Sequence, residues 1–373
     1  MSTGKSRLAH LYGINFLQLM FGLLTFYVIA FFQVGGIHSL IYTGFGGRVQ
    51  IPLSFAFFDW IPALYLFVTG LGISLQYRNK YTNRKKLISN LTRKGAFFFI
   101  IGLFFVSDWG MNLFIILGLS LMVVTLFLSW NSAVIHGVIL GIVVSSLVMV
   151  NLDVPYFLKF HSLDIHKTDT EDFFAFLFFN GYYSFFPWFS FILAGLAFGK
   201  GSVRPRGFFP PTTILAFVFL IIAYLVQNYC ESIYVASYQM SKQDLPFPFN
   251  FFVFQPSFVF MAIGISWITV NLVNHIFTYV QSLKFALAVK RLSSMKFSLL
   301  FFGYLVASFY LQLFTANQTY VLAFVSPYWL IFFITAVLLI GYWLCSFWLK
   351  KINKYPPIEW IIKSISISLK DGK

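Results

Sequence analysis

Apolar runs of about 20 residues recur along this chain, bounded by charged residues, glycine and proline, and they limit its fold more than any other feature. Lipid offers the backbone no hydrogen-bond partners, so a chain built from such runs has to satisfy its peptide groups inside each crossing element. The spacing places helices near 11–33, 53–76, 95–107, 111–129, 133–150, 181–199, 212–229, 251–275, 296–316 and 325–349. The expected fold is therefore all-α and integral to the membrane. It is a single polytopic domain over 1–373, a bundle of about ten transmembrane helices with both termini in the cytoplasm. The third run is short and is closed by Asp108 and Gly110, so the third and fourth helices are expected to form a tight outer hairpin. The first run is long and many more follow it, which reads as a retained first helix rather than a cleaved signal.

Placement of charge sets the orientation. The net charge of +15 would suit a nucleic-acid binder if it lay on a soluble domain, but only 10% of the residues are charged and mean hydropathy is +0.81. With a cytoplasmic amino terminus, all of the 26 Lys and Arg fall on the inner side except Arg48, Lys159, Lys167 and Lys242. That is the positive-inside pattern. Acidic residues run the other way: only Glu359 and Asp371 are inner, whereas the 151–180 loop holds Asp153, Asp164, Asp169, Glu171 and Asp172. The basic surplus then serves topology and attraction to anionic headgroups, and nucleic acid is excluded as a partner. Cys230 and Cys345 fall at opposite faces, too far apart for a disulfide.

Ionisable groups near hydrocarbon are the first place to look for chemistry. Asp59 lies near the outer end of the second run with Pro62 three residues on; it reads either as a functional carboxylate or as a helix cap. His38 sits in the first outer loop, within GGIHSLIYTGFGGR, as a candidate general base or as a solvated side chain. His161 and His166 lie among the acids of the 151–180 loop, but their spacing matches no zinc pattern and no metal is expected there. His136 and His275 are near inner helix ends, where imidazole satisfies carbonyls or headgroups. Asn15 and Gln18, three apart in the first helix, share a face and either bond across helices or line a cofactor entrance. Phe is abundant, 51 residues, and suits lipid-facing and packing positions. No P-loop, GxGxxG, GxSxG or CxxC motif is present, which leaves nucleotide hydrolysis and serine or thiol catalysis without support.

Several blocks then line up in order with a known family. They are FFDWIPALYLFVTGLGISL (57–75), RKGAFFFIIGLFF (93–105), LFIILGLSLMV (113–123), FNGYYSFFPWFSFILAGLAFGK (179–200), QPSFVFMAIGISW (255–267), RLSSMKFSLLFFGYLV (291–306) and PPIEWIIK (356–363). With them the chain resembles the heparan-alpha-glucosaminide N-acetyltransferase-like membrane proteins and their bacterial relatives, within the broader membrane acyltransferase group. The Gly-Tyr-x-x-x-x-Pro-Trp block, with Tyr182, Tyr183, Pro187 and Trp188, is the most specific part and is expected to shape a cavity by packing.

The resemblance implies transfer of an acetyl or similar short acyl group from cytoplasmic acetyl-CoA to a sugar or glycan acceptor on the far side. His38 is then expected to activate the acceptor and Asp59 to orient it. Relatives carry an acidic residue and, three on, an Arg at the start of the first helix, whereas this chain has Asn15 and Gln18. Two charges have become amides, which keep hydrogen-bonding capacity but supply no cation. Arg78, Lys200, Arg204 and Arg206 are the remaining inner candidates for the CoA phosphates. The expected setting is the bacterial cytoplasmic (inner) membrane, crossed many times, with homo-oligomerisation left open. The rival readings are a transporter or flippase of a glycan or lipid-linked substrate, and a non-catalytic relative of the family.

Overall fold

A computed structural model describes residues 14–25, 60–78, 83–104, 113–151, 178, 185–201, 214–226, 256–279, 289, 291–315, 327–352 and 355–368. Among these the chain is all-helical, with no strand. In chain order the main helices are α1 (Ile14–Thr25), α2 (Trp60–Arg78), α3 (Arg84–Phe104), α4 (Leu113–Val123, continued by a 3-10 turn Val124–Phe127) and α5 (Ser132–Asn151). They are followed by α6 (Phe185–Gly201), α7 (Ile214–Val226), α8 (Pro256–Tyr279), α9 (Lys296–Thr315), α10 (Pro327–Lys351) and α11 (Pro357–Ser368). Three described stretches, Trp60–Arg78, Arg84–Phe104 and Phe332–Lys351, are long and apolar enough to cross a membrane, which supports a membrane protein.

Two helices depart from the apolar-run reading. The third was expected to begin at 95, but α3 starts eleven residues earlier at Arg84, with the Asn83 side chain accepting from the Lys86 N–H at 3.2 Å as an N-cap. A buried stripe, Leu87, Leu91, Gly95, Phe98 and Gly102, threads through the basic segment at helical spacing. A criterion based on unbroken apolar runs misses such a stripe. The second departure is α11, which lies beyond the last apolar run, 325–349. Pro357 occupies its first position, where a missing N–H costs nothing. Its Ile358, Ile361 and Ile362 recur at helical spacing, on a face apart from Glu359 and Lys363. At 12 residues it is too short to register as a span.

The chain forms two compact units, Leu66–Tyr279, and Met1–Tyr65 together with Val280–Lys373. In the first, α6 packs on α4, α5 and α8, and α3 lies along α4. Between lipid-embedded helices apolar burial drives little association, so close packing has to supply it, and small residues let backbones approach. A Cβ on Gly195 would stand 1.9 Å from the Phe67 carbonyl oxygen of α2, and one on Gly70 would stand 2.0 Å from the Ile192 carbonyl oxygen of α6. Only glycine fits at that crossing. The same device joins α3 to α4, where a Cβ on Gly95 or on Gly118 would meet the other's carbonyl oxygen at 2.6 Å. Gly102 lies against Ile115, so the two helices run antiparallel, the packing expected of a hairpin; the turn joining them is outside the described residues.

Aromatic side chains fill the space around α6. Trp188, 1% exposed, meets Phe191 with ring centroids 5.4 Å apart and Phe258 at 6.2 Å, both edge-on. In the second unit α9 packs on α10 and α11, with Gly341 of α10 against Leu299 and Phe302 of α9. Gly22 of α1 lies against Leu300, and Gly303 against Leu23. Cys345 is a buried free thiol, while Cys230 lies outside the described residues.

Candidate functional site

In the unit containing both chain ends, polar groups collect at the start of α9. Asn15 and Gln18 are one helical turn apart and do share a face, and what faces them is Lys296, the first residue of α9. Its ammonium donates to Asn15 Oδ1 at 2.8 Å and to Gln18 Oε1 at 2.6 Å. Gln18 is buried, at 7% exposure. Lys296 thus brings a cation to the face that the two amides share, and a cation is the charge that a phosphate or carboxylate would meet.

The next turn of α9 is held by a carboxylate. Glu359 of α11 accepts from the backbone N–H of Phe297 at 2.8 Å and of Ser298 at 3.2 Å, and the Ser298 hydroxyl donates to its other oxygen. The Ser298 hydroxyl in turn accepts from the Ile358 N–H at 3.0 Å. Each helix thus caps the other's N-terminus through a side chain, a tertiary version of the capping box. A carboxylate at a helix N-terminus also meets the positive end of the helix dipole.

Within Leu66–Tyr279, Arg78 and Lys200, two of the four cations expected at CoA phosphates, bond helix-end carbonyls. Arg78, at the last position of α2, donates to the carbonyls of Gly199 at 2.7 Å and Lys200 at 3.2 Å, which lie in the last turn of α6. Lys200 donates to the carbonyls of Phe127 at 3.2 Å, Leu128 at 2.7 Å and Trp130, which close the α4 turn. An ammonium has three N–H groups, and each of these has a carbonyl partner. Arg84 and Lys200 both lie near the Tyr77 ring, at 4.8 Å and 5.9 Å from its centroid. The ends of α2, α4 and α6 and the beginning of α5, whose Ser132 hydroxyl donates to the Ala197 carbonyl at 3.3 Å, are thereby gathered in one place.

In the sequence Lys296 and Glu359 stand as inner-side charges within two of the blocks that carry the resemblance, with no site role. Their signal was present: an amide pair on one helix face asks for a partner, and an acid two residues after a Pro-Pro pair suits a cap. Neither signal says which helix answers. His38, Asp59, Arg204, Arg206, Tyr182, Tyr183, His161, His166 and the acids of the 151–180 loop lie outside the described residues, as does the side chain of His275. Among the described residues no group of three His, Cys, Asp or Glu is placed to hold a metal ion. Compared with protein-family models, with curated proteins and with solved structures, the chain matches none.

Proposed function

We propose that the chain is a membrane-embedded acyltransferase that takes an acetyl or short acyl group from cytoplasmic acyl-CoA and delivers it to an extracytoplasmic sugar or glycan. The observation that carries this reading is Lys296 between Asn15 and Gln18. At the two positions where relatives of the resembled family carry charge this chain has amides, and a cation from another helix stands against both. The positive charge suited to a phosphate or a thioester oxygen is thus supplied from α9. Arg78 and Lys200 act as caps in this reading and take no part in donor binding.

The reading includes a multi-pass topology of about ten spans, both termini inside, in a bacterial cytoplasmic membrane. Helix ends assigned to the cytoplasm by charge lie together within each unit: Arg78 with Lys200 and Trp130 in one, Gln18 with Lys296 in the other. In the reaction the acceptor's amine or hydroxyl attacks the thioester carbonyl, a C–N or C–O bond forms, and the C–S bond breaks. His38 takes the proton from the nucleophile and returns it to the departing thiolate, with Asp59 orienting the imidazole.

The test is transfer by the purified chain in proteoliposomes, with radiolabelled acetyl-CoA on one side and glucosamine or a glycan acceptor on the other. Labelled acceptor with wild type, and none with His38→Ala, is the expected result. Uptake of unmodified glycan with no labelled product would replace transfer by transport.

A further inference from the structure

Among the described residues of Leu66–Tyr279 two buried ring nitrogens lack partners, and they belong to neighbouring rings. His136, on the second turn of α5, has Nδ1 at 2.6 Å from the Ser132 carbonyl oxygen. A carbonyl can only accept, so Nδ1 carries a proton and donates it, which leaves Nε2 to face the interior. Nε2 is buried and has no hydrogen-bond partner, and the same is true of the indole Nε1 of Trp267 on α8. Trp267 is 2% exposed. The two ring centroids are 6.2 Å apart at an interplanar angle of 57°, yet the indole N–H does not bond the imidazole. Phe198 and Phe219 also flank the indole, with ring centroids at 5.5 Å and 5.3 Å, and cover part of it with apolar surface.

Buried donors and acceptors are rarely left unmet, and a pair of them on adjacent rings limits what can meet both. A cation has no lone pair for the indole N–H. A carbonyl or carboxylate has no proton for Nε2. A hydroxyl oxygen accepts from the indole and donates to Nε2 with the same atom, and it also accepts a bond from the ring if Nε2 is protonated. We propose that His136 and Trp267 form a buried binding site for a single hydroxyl oxygen, that of an internal water or of an aliphatic alcohol. The site is independent of the acyl-transfer reading and stands or falls without it.

The test is NMR on the full chain in nanodiscs, with 15N in Trp indoles and His rings. Trp267→Phe keeps the aromatic contacts and identifies the Trp267 indole signal by its loss; if that variant does not fold, Trp267→Tyr serves the same purpose. The expected result is an exchange or Overhauser cross-peak from the Trp267 indole proton to an oxygen-bound proton, lost in His136→Phe, where the oxygen has only one anchor. Titration with n-octanol separates the two sources. Saturable replacement of the water cross-peak by peaks to the alcohol's methylene protons identifies an alcohol site, and a water peak unchanged through the titration identifies an internal water. A folded wild type whose Trp267 indole proton has no oxygen-bound proton nearby, with or without octanol, overturns the proposal.

Discussion

Gly195→Ala tests the crossing of α2 and α6 because the atom its new methyl meets cannot swing away. The Cβ would sit 1.9 Å from the Phe67 carbonyl oxygen and 2.9 Å from the Leu71 nitrogen, both backbone. An ordinary carbon–oxygen approach is about 3.3–3.6 Å, so relief requires the two helices to part by about 1.5 Å. Parting loosens the contacts around buried Phe67, Phe191 and Leu71, and the cost lies at the upper end of overpacking, about 3 kcal/mol. Gly70→Ala meets the Ile192 carbonyl oxygen at 2.0 Å and forces the same separation. One displacement relieves both, so the double variant is expected to cost little more than either single one, a coupling of about 1–3 kcal/mol. Gly137→Ala and Gly141→Ala are the controls: nothing lies within 4 Å of either Cβ, and each gains about 0.8–1 kcal/mol of helix propensity. Unfolding in mixed micelles on SDS titration measures all five. If Gly195→Ala behaves like Gly137→Ala, or if the two interface variants add, the backbone contact between α2 and α6 is wrong.

The capping pair between α9 and α11 is expected to lose about 2 kcal/mol of stability in Glu359→Ala and about half of that in Glu359→Gln, which retains one acceptor. Equal unfolding midpoints for both variants and wild type would show that the cap is not formed. Lys200→Met strands three carbonyls and is expected to destabilise by about 1–3 kcal/mol while leaving acetyl-CoA affinity unchanged, read by melting and by calorimetry on the same sample. A tenfold loss of affinity with no change in melting would return Lys200 to the donor site. Asn15→Ala is expected to weaken acetyl-CoA binding less than Lys296→Met does, because the ammonium keeps its bond to Gln18; the reverse order would place the amide rather than the cation at the donor.

Much of the helical layout was legible because lipid imposes a length and a composition on whatever crosses it. The end of α10 at Lys351 follows from an apolar run that stops at charge. The rule fails where burial is partial. Arg84 to Lys94 is helical because one stripe is buried while the other faces carry charge, and α11 is an amphipathic helix too short to span. The site was legible only as fragments: the i, i+3 spacing put Asn15 and Gln18 on one face, but their partner Lys296 is 278 residues from Gln18, and nothing local encodes that meeting. The same limit applies to Arg78 and Lys200. Charge and position marked them as inner cations, but which carbonyls they bond depends on which helix ends lie beside them.

The central claim is that Lys296, set between Asn15 and Gln18, gives the chain its site for an acyl-CoA donor, and titration calorimetry of acetyl-CoA into the purified protein in nanodiscs tests it directly. Saturable binding by wild type, retained in His38→Ala and weakened about tenfold or more in a folded Lys296→Met, is the predicted result. No saturable heat at millimolar acetyl-CoA in a folded sample, or equal affinity for wild type and Lys296→Met, would contradict it.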